Sequence, residues 1–224
     1  GSSWDEQGSR DLLFAVCASP RFRTCRLCAL RFRTDKVSEE QFAAMTFRLP
    51  DGTSYVAFRG TDSTVVGWKE DFNMTFLSPV PAQEEAAAYL DEVAELVPGE
   101  LYVGGHSKGG NLAVYAAAMC SSAHRARITR VFSHDGPGFH REFCADEPYR
   151  RIMPIMDKTV PKSTMIGAVL SEAPDFSPTI VESDGISMLQ HNPFLWAVDV
   201  GAAEFVPADG YTASSRFFDS TLDA

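Results

Sequence analysis

The stretch Leu101-Tyr102-Val103-Gly104-Gly105-His106-Ser107-Lys108-Gly109-Gly110-Asn111 constrains this chain more than any other part of it. A short apolar run that reads as a buried strand ends in Gly104-Gly105, and an alanine-rich run from Gly109 to Cys120 follows with helical character. A chain that passes from strand to helix in so few residues turns sharply, and the serine at the apex takes a strained backbone conformation. Gly105 and Gly109 flank it because a Cβ at either position would collide across the turn. Gly110, Ala113, Ala116 and Ala117 let the helix lie close to the sheet. The turn lifts Oγ of Ser107 over the C-terminal edge of the sheet. It also brings the Lys108 N–H, at a helix N-terminus with partial positive charge, to the same space. Ser107 is therefore the candidate nucleophile and the Lys108 backbone N–H a candidate oxyanion donor. The alternative is a helix start that only packs or binds a phosphate. The Lys108 side chain reads as an ordinary surface lysine.

The rest of the chain supplies a frame for such a turn. Residues Asp11 to Ala18 read as a short helix, and Cys25 to Arg33 alternates like a strand. Phe42 to Leu49 and Thr53 to Phe58 are strand-like, and Pro50-Asp51-Gly52 between them is a hairpin turn. Pro81 opens a helix whose apolar residues Ala86, Leu90, Val93, Ala94 and Val97 recur at helical spacing, with Pro98-Gly99 as its stop. Ile128 to Ser133 reads as a further strand. Strands alternating with helices predict a mainly parallel sheet with helices on both faces, preceded by the N-terminal β-hairpin. Prolines 148, 154, 161, 174 and 178 interrupt the pattern between 141 and 178. That region is expected to hold a strand near Arg151 to Ile155, then either cap elements over a pocket or an ordinary connection. Thr179 to Glu182 and Leu195 to Val200 read as the last strands, and Ser215 to Leu222 as the start of a closing helix. No repeat breaks the chain, and a single domain over residues 1–224 is the expectation.

Composition narrows the function classes. With 224 residues, 45% of them hydrophobic and 22% charged, the chain has the make-up of one core-forming domain. The longest apolar stretch, Leu112 to Met119, is far short of the ~20 residues a membrane-spanning helix needs. A formal net charge of -10 and a lone basic stretch, Arg21 to Arg33, whose charges alternate with apolar residues, argue against nucleic acid as partner. The five cysteines are an odd number, against a disulfide framework. Cys25-Arg26-Leu27-Cys28 has redox or metal spacing but no second pair, and reads as two small residues in a partly buried strand. The chain opens Gly1-Ser2-Ser3 without methionine, so its natural start is expected to lie elsewhere. With no signal sequence in view, a cytoplasmic, reducing location is the expectation.

A second motif joins the first. Tyr55-Val56-Ala57-Phe58-Arg59-Gly60-Thr61-Asp62 ends a strand, and Trp68-Lys69-Glu70-Asp71-Phe72 follows. Together with Gly105-His106-Ser107-Lys108-Gly109, these resemble the class 3 (fungal-type) lipases, in which F-R-G-[ST] and W-x-x-D recur. More closely, the chain resembles a group of bacterial α/β hydrolases related to those lipases. That match is carried by Arg21-Phe22, Gln41-Phe42-Ala43-Ala44-Met45, His134-Asp135-Gly136-Pro137-Gly138-Phe139 and Gln190-His191-Asn192, and covers most of the chain from Arg21 onward. The resemblance implies an α/β-hydrolase fold and a nucleophile at Ser107. It also implies Thr61 as the second oxyanion donor, with Asp71 holding the Thr61 hydroxyl. Arg59 reads as a buried anchor and Trp68 as core or pocket wall.

A serine nucleophile needs a base, and histidine is the side chain poised near neutral pH. In the α/β-hydrolase fold the order is serine, acid, histidine. Of His106, His124, His134, His140 and His191, only His191 comes late, and the related hydrolases match there. His106 lies inside the turn and faces the core in similar enzymes, and His124 sits in a polar loop. For the acid, Asp135 directly follows the strand Ile128 to Ser133. Asp157, after the next apolar run, is the alternative, because ordinary class 3 lipases carry their acid there. Asp175 and Asp184 stand behind both.

These residues predict a carboxylic-ester hydrolase, lipase- or esterase-like, working through a Ser-His-Asp triad and an acyl-enzyme with no metal or organic cofactor. Its expected partner is a small acyl ester or lipid. No strongly amphipathic lid helix stands out, so interfacial activation is not expected. The alternatives are a binding protein that keeps this fold without full catalytic machinery, and an acyltransferase or peptidase with the same triad.

Overall fold

A computed structural model describes residues 5–35, 40–60, 79–168, 170 and 173–212. Thr61, Trp68, Asp71 and the helix expected over residues 215–222 lie outside the described residues. The sheet begins with β1 (Arg26–Asp35), β2 (Glu40–Arg48) and β3 (Ser54–Phe58), paired antiparallel in chain order. The β2–β3 hairpin closes through the Leu49 N–H donated to the Thr53 carbonyl. Gly52 stands at φ 92, a conformation that a residue with a Cβ adopts only under strain.

From β3 onward every pairing is parallel, through β4 (Leu101–His106), β5 (Ile128–His134), β6 (Met156–Pro161) and β7 (Thr179–Val181). The seven strands lie side by side in sequence order. Parallel crossovers are right-handed almost without exception, so adding each strand on the same side of the last sends every crossover helix to one face. The helices α2 (Pro81–Leu96), α3 (Lys108–Met119) and α6 (Glu147–Ile152) form that layer, with the short α4 (Ser122–Arg125) and α5 (Arg141–Ala145) in the connections. The core lies between: Val56, Phe58, Leu101, Val103 and Val131 from the sheet meet Ala86, Leu90, Val93, Leu112, Ala116 and Ile152 from the helices.

Polar pairs lock the layer. Buried Tyr89 of α2 bonds Thr46 of β2 through its hydroxyl at 2.9 Å. Arg31 of the edge strand pairs with Glu85 and Glu92 of α2 and lies over the Tyr89 ring. On the other face Tyr55 stacks on Phe132, and Leu27, Leu30 and Phe32 of β1 are each more than half exposed. The expected helix cover of this face is not supplied by any described crossover helix. The first helix, α1 (Glu6–Ala18), is capped by Asp5, whose carboxylate accepts the Gly8 N–H, and buries none of its residues.

Four expectations need correction, the first being that Arg59, read as a buried anchor, is exposed just past β3. No strand runs over Arg151 to Ile155: α6 and a 3₁₀ turn (Met153–Ile155) occupy it, and β6 starts at Met156. A short apolar run does not by itself separate strand from buried helix, and here Pro148 favours a helix start while Tyr149 and Ile152 face the core. Leu195 to Val200 is not a sheet strand either. A 3₁₀ turn (Pro193–Leu195) leads into β8 (Val198–Asp199), which pairs only with β9 (Glu204–Phe205) in a separate ribbon. Cys28, expected partly buried, is exposed, because β1 is an edge strand with a bulge between Leu27 and Ala29.

The Thr46–Tyr89 pair makes a stability prediction. Tyr89→Phe leaves the Thr46 hydroxyl buried without a partner, so urea unfolding is expected to show a loss of about 1–3 kcal/mol. Adding Thr46→Val should restore part of that loss, since removing both partners removes the stranded polar group.

Candidate active site

The strand-to-helix turn has the form its glycines predict. Ser107 caps α3 at φ 58, ψ -133. Its N–H is donated to the His134 carbonyl at 2.9 Å, which anchors the apex to β5. A Cβ on Gly105 would stand 2.4 Å from the Gly109 carbonyl carbon, and one on Gly109 would stand 2.2 Å from the Phe58 oxygen. Both separations are impossible for real atoms, so the two glycines are what allow β3, β4 and α3 to converge under Ser107. The Lys108 side chain, expected at the surface, is buried at 2% exposure, because α3 is packed from Lys108 through Ala118. Its backbone N–H is the first of the helix.

Among the described residues, three separate loops build a line of contacts that starts at Ser107. The late loop, a 3₁₀ turn (Ser187–His191), carries His191, whose Nε2 lies 2.9 Å from Ser107 Oγ. His191 Nδ1 lies 2.7 Å from Asp135 Oδ2, and Asp135 is fully buried just past the end of β5. An ionised carboxylate only accepts, so Nδ1 carries the proton and Nε2 is free to accept the Ser107 hydroxyl hydrogen. Asp135 itself sits at φ 49, a left-handed conformation that aspartate tolerates better than most residues. Its other oxygen accepts the Thr164 hydroxyl and, at 3.1 Å, the Gly167 N–H from the loop after β6. A Cβ on Gly167 would stand 2.4 Å from that oxygen. Thr164 and Gly167 have no local sequence signature, and only their spatial return to the end of β5 identifies them.

Among the described residues, the remaining expected candidates other than His106 lie apart. Asp157 is paired in parallel register with Phe132, two positions before the strand end where His134 faces Thr159. Its carboxylate is held by Arg130, with both side chains about half exposed. The cause is the shifted strand: because β6 begins at Met156, Asp157 stands near its start instead of past its end. Asp175 pairs with Arg150 at 2.5 Å, and Asp184 is exposed. His124 bonds Asp91 at 2.6 Å, while His134 is enclosed by Phe132, Trp196 and Phe205. His106 lies under His191, ring centroids 4.5 Å apart, and burial pushes its pKa down to about 4. Among the described residues no group of three or more His, Cys, Asp or Glu is arranged to hold a metal ion. No helix among them is long and apolar enough to cross a membrane.

The turn after Asp135 is fixed from the helix layer. Asn111 of α3 donates to the carbonyls of Pro137 and Gly138 at 3.2 and 3.0 Å and accepts from Gln83 at 2.8 Å. Gln83 in turn accepts the Val80 N–H at the start of α2. Buried polar groups connected this fully lend definition to the loop they hold.

This fold, a largely parallel sheet with a serine-bearing strand–turn–helix at its centre, is that of the α/β hydrolases related to the fungal-type lipases. The structure is similar to a fungal lipase in complex with an inhibitor, at 16% identity over 86% of this chain and 75% of that one, TM-score 0.51. It is also similar to a mutant of MDLA from Penicillium cyclopium, at 13% identity over 88% and 77%, TM-score 0.50. M37 lipase matches at 13% identity over 73% of this chain, TM-score 0.50, and the chain spans only 61% of that protein's length. The chain belongs to the Mbeg1-like family, whose model matches residues 16–224. A comparison with curated proteins returns no match.

Buried neutral histidines tie stability to pH. An unfolded His106 takes up a proton below its ordinary value of 6.5, whereas the folded one does so only near 4. Burial lowers His134 in the same direction. The unfolded state therefore binds more protons between these values, and folding stability is expected to fall as pH drops from about 6.5 toward 4. Urea unfolding across this range should show that slope, and His106→Gln should make it shallower.

Proposed function

We propose that the chain is a serine hydrolase of carboxylic esters, lipase- or esterase-like, acting through Ser107, His191 and Asp135. The observation that carries this reading is the unbroken hydrogen-bond path from Ser107 Oγ through His191 to the buried Asp135. His191 Nε2 removes the Ser107 proton as Oγ attacks the acyl carbonyl, and Asp135 holds the imidazole tautomer and stabilises the imidazolium. The tetrahedral oxyanion is received by the Lys108 N–H, aided by the positive end of α3, and by the Thr61 N–H. Thr61 enters by resemblance, with Asp71 as support for its hydroxyl. The position just before it, Gly60, runs so close to the turn that a Cβ there would meet the His106 oxygen at 2.8 Å. His191 then passes its proton to the departing alkoxide. A water activated by the same ring releases the acyl group and restores Ser107. All these groups belong to the protein, and no cofactor enters.

The relation to fungal-type lipases favours an acyl ester or lipid over other acyl donors. Exposed Ile186, Leu189 and Phe194 on either side of His191 offer the apolar surroundings that such a substrate prefers.

A fluorophosphonate probe is expected to label the wild-type chain and not Ser107→Ala. Equal labelling of both would remove Ser107 as nucleophile. Short p-nitrophenyl esters separate the acids: Asp135→Asn should lower turnover by about 10³–10⁴-fold, while Asp157→Asn, which breaks only an exposed ion pair, should leave it close to wild type.

A further inference from the structure

His106 stands immediately before Ser107, yet its side chain reaches into the loop that carries His191. Its Nε2 lies 2.8 Å from the His191 carbonyl oxygen. A carbonyl only accepts, so His106 must be protonated at Nε2. Its ring lies against the His191 ring at an interplanar angle of 35°. The preceding carbonyl, that of Gln190, is held by the Trp196 Nε1–H at 2.7 Å, and Trp196 meets the His106 ring edge-on. The Gln190 side chain fastens the same loop from within, donating to the carbonyls of Ser183 and Gly185 and accepting the Ser163 N–H. Of these anchors only His106 comes from the turn that bears Ser107. The peptide link from His106 to Ser107, the Ser107–His191 hydrogen bond and the His191–His106 hydrogen bond thus form one closed ring of contacts.

We propose that His106 is a positioning residue for His191: by donating its Nε2–H to the His191 carbonyl, it registers the imidazole-bearing loop on the nucleophile's own turn. The proposal rests on reading Ser107 and His191 as nucleophile and base. Burial keeps the His106 ring neutral down to about pH 4, so it sets no positive charge against the His191 imidazolium during turnover. Loss of the Nε2–H donor frees the loop to shift, and a displacement on the order of 1 Å costs about 10²-fold in rate where reacting atoms must be aligned.

Two substitutions separate the donor from the ring. His106→Gln brings an amide nitrogen to the same bond count from Cα as Nε2, whereas His106→Phe keeps a ring without a donor. In the ¹⁵N-labelled full chain, the wild-type His106 ring is expected as the Nε2–H tautomer, and the His191 Nδ1 proton as a low-field resonance from its bond to Asp135. That resonance should persist in His106→Gln and broaden or vanish in His106→Phe. Fluorophosphonate labelling should slow by ~10²-fold in the Phe variant with most of the loss restored in the Gln variant. A wild-type His106 found as the Nδ1–H tautomer would overturn the proposal without any variant. So would a Phe variant that keeps both the resonance and the labelling rate. The spectra do not depend on turnover: the expected spectra in a chain that no probe labels would defeat the hydrolase reading and still support the His106 contact.

Discussion

The crowding of backbone at Gly105 and Gly109 governs this molecule. Three segments, β3 at Phe58, β4 at Gly105 and α3 at Gly109, approach so closely that no side chain fits between them. Ser107 is forced to positive φ at the apex, a conformation costing on the order of 1–3 kcal/mol that persists only where its surroundings over-determine it. The bond from its N–H to His134 and the burial of α3 from Lys108 to Ala118 provide that surrounding structure. The hydroxyl is aimed away from the sheet because the main chain has no other way to pass.

Among the described residues, the loops that build the site around Ser107 arrive over the C-terminal edge of the sheet, where loops of an open parallel sheet gather. The loop after β5 brings Asp135, the loop after β6 brings Thr164 and Gly167, and the loop after β7 brings His191. None of these side chains is held by its own element alone. Asn111 and Gln83 reach across from the helix layer to fix the turn after Asp135, and His106 and Trp196 fasten the His191 loop. The site is therefore a product of the sheet order, and its polar groups are satisfied by partners distant in sequence, which is what a buried, definite geometry requires.

Membership of the Mbeg1-like family and the likeness to lipase structures describe a scaffold, and a scaffold of this kind hosts many chemistries. What speaks for acyl chemistry is local: a strained serine, an imidazole with its acceptor nitrogen facing the hydroxyl, and a buried carboxylate behind it. Leu27, Leu30 and Phe32 on the second face of β1, each more than half exposed, and the exposed apolar residues of α1 lie outside the contacts described around Ser107.

Local sequence already contained the elbow, the hairpin and the alternation that leads to a parallel sheet, because each depends on interactions within a few residues: glycine at a collision point, proline at a helix start, apolar residues at a fixed period. It also pointed to His191, through chain order, and to Asp135, through its place after a strand. It misread 151–155 because a run of four apolar residues, Ile152 to Ile155, suits a helix packed on α3 as well as a strand, and that shift is what places Asp157 near the start of β6 and not past its end. The buried Lys108, the Thr164 and Gly167 contacts with Asp135 and the His106 contact with His191 were decided only when strands 20 to 28 residues apart came into register. Hydrogen bonds between distant segments depend on direction and on separations of about 3 Å, and no local pattern of residues encodes either.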